Sequence, residues 1–260
     1  MNNDLLYEVH DGIAHVTLNR PQARNALTFE MYDGLAELAG QVAADPAIGA
    51  MVIRGAGDKA FASGSEISQF LAFKGGADGI AYEQHLDHVL TALECCPKPV
   101  IAAICGACTG GGAAIAAVCD LRIGTRGTRF GVPVARTLGN CLSVASLSRF
   151  VSLMGAARTL EMMLTARLIE ADEAKALGLL NEVVDDIEAL DARVAELARS
   201  VADLAPLTLR VTKEQMRRLR AAMIADVNDD DLVAMCYGSE DFKAGVEAFV
   251  ARRPPEWRGK

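Results

Sequence analysis

The hydrophobic and polar positions in the first half of the chain alternate between two periods, one typical of strands and one typical of helices. Apolar runs over 5–9 and 13–18 predict two strands joined by a tight turn. A helix is predicted next, because Thr28 is a good N-cap and the following apolar residues recur every three or four positions. These residues are Met31, Leu35, Leu38 and Val42. Strand-like runs over 51–54 and 99–104 continue the alternation, which favours an α/β fold with a largely buried sheet.

Helical spacing dominates the second half of the chain. Segments 187–204, 206–224 and 239–251 each have apolar residues near a 3.6-residue period. We expect two regions, a core over 1–200 and a helical region over 201–260. The helical region contains more apolar surface than a monomer would comfortably expose, which predicts that it packs on another subunit.

Composition and charge narrow the classes of function. The chain has 260 residues, of which 51% are apolar, enough for one substantial core. The formal net charge is −8 and the pI is near 5.1, so a phosphate backbone would meet net repulsion and we expect no nucleic-acid partner. No apolar stretch reaches the roughly 18 residues of a membrane span, and residues 1–4 lack the features of a leader. We therefore expect a cytoplasmic protein with no membrane contact.

The seven cysteines lie mostly in apolar runs, which indicates reduced core thiols rather than a disulfide framework. Cys105 and Cys108 match a C-x-x-C spacing, but no second pair and no nearby histidine accompany them, so core packing is favoured over a metal or redox role. The acidic segment 226–231 is typical of the solvent-exposed start of a helix. We expect no metal site.

Two glycine-containing loops lie where strand-like runs give way to helix-like runs. Their sequences are AFASGSEI over 60–67 and GACTGGGAA over 106–114. Free peptide N–H groups collect at such turns, and two of them facing one pocket can hold an anionic oxygen. A glycine run can instead serve only close packing. No acid or base follows the second loop, where 113–116 reads AAIA.

These loops and several other segments, taken in order, resemble the crotonase, or enoyl-CoA hydratase/isomerase, superfamily. The other segments are VTLNRP over 16–21, ARNAL over 23–27, CDLRI over 119–123, FGVP over 130–133, LTAR over 164–167 with AKALGLLN over 174–181, and SEDFKAGVEAF over 239–249. The resemblance implies a crotonase-like ββα spiral core with a helical C-terminal trimerisation region. It also implies an acyl-CoA substrate, a homotrimer or a dimer of trimers, and no cofactor other than coenzyme A as part of the substrate.

The resemblance implies an oxyanion hole formed by the peptide N–H groups of Ser65 and Gly111. It further implies contacts to coenzyme A, although each of these positions could also be an ordinary loop or surface residue. The positions are Ala23 and Arg24 for the adenine and phosphate region, Ala62, Ser65, Glu66, Ile67 and Ser68 for the pantetheine end, and Arg252 for the coenzyme A of a neighbouring subunit. Glu66 is expected to cap the helix that follows it rather than to catalyse.

Ala114 and Val134 line the implied substrate site at the two places where hydratase members hold glutamates. Neither side chain can move a proton, so the usual hydration mechanism lacks both of its acid/base groups. Other branches hold an acid around 141–143, where this chain reads CLS. Polar candidates elsewhere are His85, His88 and Asn140. The two histidines lie on a helix predicted over about 80–94, after a flexible loop over 74–79, and a plain exposed helix surface is the alternative for them.

We therefore expect an enoyl-CoA hydratase/isomerase family protein that acts on an acyl-CoA thioester and hydrates simple enoyl-CoAs weakly. One alternative is a catalytically silent protein that binds acyl-CoA or serves as a scaffold. A second alternative, an RNA-binding relative, is disfavoured by the acidic charge. The acyl group and the reaction type stay open at this point.

Overall fold

A computed structural model describes residues 3–260; residues 1 and 2, part of the stretch considered as a leader, lie outside the described residues. The strands are β1 (Leu5–His10), β2 (Ile13–Leu18), β3 (Ala50–Gly55), β4 (Ala60–Ala62), β5 (Val100–Ile104), β6 (Ala107–Thr109), β7 (Leu121–Thr125), β8 (Arg129–Gly131), β9 (Ile169–Glu170) and β10 (Glu182–Val184). The helices are α1 (Phe29–Ala44), α2 (Gly76–Cys95), α3 (Gly111–Val118), α4 (Val134–Thr137), α5 (Val144–Thr165), α6 (Ala171–Ala176), α7 (Ile187–Ala202), α8 (Pro206–Ala222), α9 (Asp230–Tyr237) and α10 (Glu240–Val250). Single 3₁₀ segments occur at Pro21–Ala23 and Ile67–Ala72.

The strands form two sheets. The larger sheet has the order β1-β2-β3-β5-β7-β10, in which β1 is antiparallel to β2 and the other pairs are parallel. The smaller sheet has the order β4-β6-β8-β9 and is parallel except for β8 and β9. All five residues of β5 are buried, as expected for a parallel strand with both faces covered. The predicted α/β class is confirmed.

The predicted hairpin and first helix are present. β1 and β2 pair across the turn at Asp11, which has a positive φ. The Thr28 hydroxyl accepts the Met31 N–H at 3.3 Å and so caps α1, which ends before Asp45. The local sequence signals were sufficient here because each end of the helix has its own stop or start residue.

Helix α2 begins earlier than the sequence predicts. The segment 74–79, expected to be a flexible loop, already contains the first turn of α2, which begins at Gly76. The Asp78 carboxylate accepts the peptide N–H groups of Lys74 at 2.6 Å and of Gly75 at 3.2 Å. These two hydrogen bonds stabilise the first turn of α2, which the flexible glycines alone would not do.

The C-terminal helices differ in how they join the core. α7 packs its apolar side on the larger sheet, and α9 and α10 form a second apolar cluster with residues of the core. That cluster contains Phe70, Leu138, Val233, Tyr237, Phe242 and Val246. The expected boundary after residue 200 falls inside α7 and remains a prediction. Within residues 3–260 no helix is both long and apolar enough to cross a bilayer.

Candidate active site

The first glycine loop leaves the Ser65 peptide N–H free. A parallel bridge joins this loop to Leu27, whose N–H donates to the Gly64 carbonyl at 2.8 Å while its carbonyl accepts the Glu66 N–H at 2.7 Å. The bridge uses the peptide groups on either side of Ser65, so the Ser65 N–H faces away from it. In the described part of the chain this N–H has no acceptor.

The second glycine loop leaves the Gly111 N–H free in the first turn of α3. The Gly110 N–H donates to the Gly131 carbonyl at 3.0 Å, and the Gly110 carbonyl accepts the Ala114 N–H at 3.0 Å. Gly111 follows as a first-turn donor, and across residues 3–260 nothing accepts its N–H. The two loops touch, because a Cβ on Gly64 would lie only 3.8 Å from the Gly111 nitrogen.

The glycines of the second loop also serve close packing. A Cβ on Gly111 would overlap the Tyr32 hydroxyl, and a Cβ on Gly112 would overlap the Ala62 carbonyl. Packing, which the sequence allows as the plain reason for a glycine run, is therefore a real role of this loop. The free N–H of Gly111 exists alongside that role.

Three hydroxyl groups meet beside the two free N–H groups, and we call Tyr32, Ser65 and Tyr82 the hydroxyl cluster. The Ser65 Oγ lies 2.9 Å from the Tyr32 Oη and 2.6 Å from the Tyr82 Oη. Burial raises the pKa of Tyr32 to about 12 and that of Tyr82 well above its ordinary value. Both phenols are therefore neutral at physiological pH.

A buried carboxyl group forms a second polar centre, the Glu83 cluster, made of Glu83, Asn140, Ser143 and Tyr237. The Glu83 side chain is only 3% exposed; one oxygen accepts the Tyr237 O–H at 2.7 Å and the other accepts the Ser143 N–H at 2.9 Å. The Asn140 amide donates to the Tyr237 Oη at 3.0 Å. Burial raises the pKa of the Glu83 carboxyl. The cluster therefore places the Glu83 carboxyl group beside segment 141–143, which contains no acidic residue.

The three polar candidates from the sequence do not come together. The His85 Nε2 lies 3.0 Å from the Asp33 Oδ1. His85 also lines a pocket of about 240 Å³ whose wall includes Tyr82. The other lining residues are Phe29, Phe73, Asp78 and Ala81. Asn140 belongs to the Glu83 cluster, and His88 is exposed on α2.

Positions 23 and 24 lie against the first donor loop. The Ser63 N–H donates to the Arg24 carbonyl at 3.1 Å, and the Ser63 hydroxyl donates to the Ala23 carbonyl at 3.4 Å. Ala62 is fully buried at the end of β4. The loop sequence therefore brings these positions next to the Ser65 N–H.

Glu66 does not cap the 3₁₀ segment that follows it, contrary to the expectation from the sequence. Its carboxylate instead accepts the Arg20 guanidinium at 3.0 Å and the Ser68 hydroxyl at 2.9 Å. These contacts and the Arg20 charge hold the pKa of Glu66 below its ordinary value, against the effect of partial burial. Ile67 is half-buried against the C-terminal apolar cluster.

Ala114 and Val134, the two positions at which the resemblance implies glutamates in hydratase members, are apolar and enclosed. Ala114 lies one turn after Gly111 in α3 and is 2% exposed, and Val134 opens α4 and is 8% exposed. Arg252 follows α10 with a positive φ and is exposed.

Sequence reasoning missed four residues of the hydroxyl cluster and the Glu83 cluster, namely Tyr32, Tyr82, Glu83 and Tyr237. Tyr32 follows Met31 on the buried side of α1, so the apolar period hides it among core residues. One signal in the sequence could have found the tyrosines. A buried tyrosine hydroxyl usually requires a hydrogen-bond partner, and the chain has only four tyrosines, so each could have been considered as a member of a polar cluster.

A comparison with known protein families tests the family assignment that the two glycine loops suggest. The enoyl-CoA hydratase/isomerase family matches residues 8–260. The chain belongs to this family.

Relatives and solved structures agree with the affiliation. A short-chain-enoyl-CoA hydratase of Clostridium acetobutylicum is 32% identical over 98% of this chain and 97% of its own length. The crystal structure of an enoyl-CoA hydratase/carnithine racemase from Magnetospirillum magneticum is 36% identical, with a TM-score of 0.81 over 100% of this chain and 97% of that one. A methylmalonyl-CoA decarboxylase in complex with 2-nitronate-propionyl-CoA is 26% identical, with a TM-score of 0.89 over 99% of each chain. The predicted crotonase-like fold is confirmed, and the family acts on CoA thioesters.

Proposed function

We propose that this protein binds an acyl-CoA thioester with its carbonyl oxygen between the Ser65 and Gly111 N–H groups. The observation that carries the proposal is that two peptide donors, which have no acceptor within residues 3–260, lie at one loop junction at the start of a helix. Each such donor stabilises a developing enolate oxygen by about 3 kcal/mol. Ala23, Arg24, Ala62 and the 65–68 segment border this junction and are the proposed contacts to coenzyme A.

A ligand series tests the oxyanion proposal without changing the protein. We expect a nitronate analogue, which carries negative charge next to the carbonyl position, to bind more tightly than the matching acyl-CoA thioester. A CoA thioether, which has no carbonyl oxygen, should bind most weakly, as measured by calorimetry. Equal affinities for all three ligands would contradict the proposal.

Hydration of simple enoyl-CoAs should be weak, because Ala114 and Val134 cannot move a proton. General acid/base groups typically contribute about 10²–10⁴-fold, so crotonyl-CoA turnover should be far below that of a two-glutamate relative assayed in parallel. The variant with Ala114→Glu and Val134→Glu should be faster if the enclosed site admits a water. Wild-type turnover equal to that of the relative would contradict the inference and make His85, His88 and Asn140 the first positions to mutate.

Loss of CO₂ from an acyl-CoA is a second candidate reaction. The observation that favours it is the hydroxyl cluster, which supplies neutral donors and no base beside the proposed oxyanion hole. The methylmalonyl-CoA decarboxylase structure, which is similar along its whole length, supports this choice. The remaining alternative is a catalytically silent acyl-CoA-binding protein, which would bind the ligand series in the expected order yet turn over no acyl-CoA class.

We further propose a homotrimer or a dimer of trimers that acts in the cytoplasm. Assembly is supported by large apolar side chains left exposed on the C-terminal helices of the single chain. In such an assembly Arg252, exposed after α10, would reach the coenzyme A of a neighbouring subunit. A reducing compartment is consistent with the seven cysteines, all of which are free thiols.

A further inference from the structure

We propose that the hydroxyl cluster protonates the enolate that remains when a β-carboxylated acyl-CoA loses CO₂ at this site. Ser65 is the proton donor, and Tyr82 and Tyr32 are positioning residues that act through it. The inference rests on the proposed function, because the Ser65 and Gly111 N–H groups must first hold the thioester carbonyl. Its geometric basis is the place of the Ser65 Oγ, which lies 3.3 Å from where a Gly111 Cβ would stand and thus next to both free N–H groups.

The hydrogen bonds of the cluster allow an arrangement that leaves one donor for a ligand. Within residues 3–260 the two phenols hydrogen-bond only inside the cluster, and each of them can be the donor to the Ser65 Oγ. When both phenols donate to the Ser65 Oγ, the Ser65 O–H is free to point at the substrate. A hydroxyl oxygen that accepts two hydrogen bonds is polarised and becomes a stronger donor itself.

The cluster is suited to give a proton and not to take one. No carboxylate, imidazole or amine of the described residues hydrogen-bonds to any of the three hydroxyls. The nearby ionisable groups are engaged elsewhere, Glu83 within its own cluster and His85 with Asp33. An enolate that forms by proton abstraction requires a base, whereas an enolate that forms by loss of CO₂ does not.

The reaction balances with the groups present. The bond between the α-carbon and the carboxylate breaks, CO₂ leaves, and the bonding electron pair forms the enolate. The Ser65 proton then passes to the α-carbon as the carbonyl re-forms, while the Tyr82 proton crosses the 2.6 Å contact to the Ser65 Oγ. Water then returns a proton to the Tyr82 phenolate, which burial disfavours, so the cluster is reset to its neutral form. The net reaction consumes one proton and yields the shortened acyl-CoA.

The neighbouring pocket suits a short acyl group. Its volume of about 240 Å³ exceeds the roughly 150 Å³ of an apolar cavity that holds a benzene ring, but it falls below the usual range for larger ligands. Phe29, Phe73 and Tyr82 form the apolar part of its wall, and Asp78 and His85 form the polar part. A carboxylate directed toward the three rings loses hydration, and that favours its departure as neutral CO₂.

The test uses malonyl-CoA and methylmalonyl-CoA as probes in D₂O, with the products analysed by NMR. The wild-type protein should convert methylmalonyl-CoA to propionyl-CoA carrying one deuterium at the α-carbon in a single configuration. Ser65→Ala and Tyr82→Phe should lower kcat by about 10²-fold or more, with little change in KM. The residual product should contain both configurations, because water then protonates the enolate from either face. Tyr32→Phe should reduce kcat less.

Two controls separate proton delivery from a structural effect. Ser65→Thr keeps the hydroxyl and should retain the single configuration, and Tyr7→Phe removes a tyrosine hydroxyl in β1, away from the cluster, and should behave as wild type. Affinity for the nitronate analogue, which tests the oxyanion proposal, should survive in Tyr82→Phe. Failure of wild type to release CO₂ from either probe overturns the inference, as does a single configuration in Ser65→Ala. In either case, the proposed function is still supported if the nitronate analogue binds most tightly, the thioester next and the thioether most weakly.

Discussion

Glu83 lies almost fully buried among neutral partners. In the described chain no lysine or arginine lies within ion-pair distance of its carboxyl group, and Tyr237 and Ser143 provide the hydrogen bonds. Desolvation is the largest influence on this group, and it raises the pKa. The folded state therefore binds a proton at Glu83 more readily than the unfolded state does.

This shift predicts the pH dependence of stability. Because the folded pKa is above the unfolded value, the stabilisation from protonated Glu83 is complete below the unfolded pKa and is lost as pH rises through the folded pKa. The free energy of unfolding of wild type relative to Glu83→Gln should thus fall as pH rises above about 4.3, the ordinary pKa of a glutamate. Urea denaturation at several pH values measures this difference.

The amide side chain introduced by Glu83→Gln can keep the local hydrogen bonds. Its carbonyl can accept the Ser143 N–H and its NH₂ group can donate to the Tyr237 oxygen. The Tyr237 O–H can then turn to the Asn140 Oδ1 once that amide flips; this buried oxygen has no hydrogen-bond partner among the described residues of the wild type. Glu37→Gln, a change at an exposed glutamate on α1, is the matched control for removal of a carboxyl group. A pH dependence of the Glu83→Gln difference that is no larger than that of Glu37→Gln would contradict the role of desolvation.

Helix α3 depends on a buried arginine at its C-terminal end. Arg122, 4% exposed, donates to the carbonyls of Ala116 and Cys119 at the end of α3 and to the Leu179 carbonyl at 2.6 Å. A cation at a helix C-terminus interacts favourably with the helix dipole. The helix that presents the Gly111 N–H at its start is therefore held at its other end by Arg122.

Replacing this arginine should destabilise the fold. Arg122→Met leaves the α3 carbonyls without donors, and we expect a loss of about 3 kcal/mol or more in the free energy of unfolding. Arg122→Lys retains the charge but not the planar fork and should lose less. Urea denaturation of both variants checks this order. Equal stability of Arg122→Met and wild type would mean that water satisfies these carbonyls.

At the scale of elements, the sequence predicted strands β1, β2, β3 and β5 and most of the long helices, because local signals mark them, such as Thr28 at the start of α1 and the proline that opens α8. The short strands of the smaller sheet were not predicted. It failed at the start of α2, where a contact from Asp78 outweighs the flexibility of glycine. The free N–H groups of Ser65 and Gly111 lie where the resemblance and the loop sequences imply donors, and their role toward a substrate stays a prediction. The hydroxyl cluster was not, because Tyr32 and Tyr82 are far apart in the chain and meet only when α1 packs against α2.

At the scale of the whole molecule, helix α8 combines charged contacts to the core with exposed apolar side chains. This helix is attached to the core by charged side chains: Lys213 pairs with Asp120, and Arg220 pairs with Glu94 at 2.6 Å. Burial raises the pKa of the Asp120 carboxyl in spite of Lys213. No residue of α8 is buried. A helix joined to its own core by polar contacts leaves its apolar residues available for another surface.

These apolar residues predict how the chain assembles. Leu207, Val211, Met216, Leu219 and Met223 are 52–73% exposed in the single chain. We expect the protein to sediment as a trimer or a multiple of it, because burial of these side chains contributes roughly 25 cal/mol for each Å² of apolar surface removed from water. The double change Leu219→Glu and Met223→Glu should shift the sedimentation profile toward monomer at micromolar concentration.

The control for this shift is Val9→Glu, the same kind of change at an exposed apolar residue of β1. It should leave the assembly intact, because β1 lies at the edge of the larger sheet and is not part of α8. If Val9→Glu dissociates the assembly and the α8 variant does not, the interface lies at that sheet edge and not at α8. A wild-type monomer would contradict assembly altogether and would also remove the reason for placing Arg252 against a neighbouring coenzyme A.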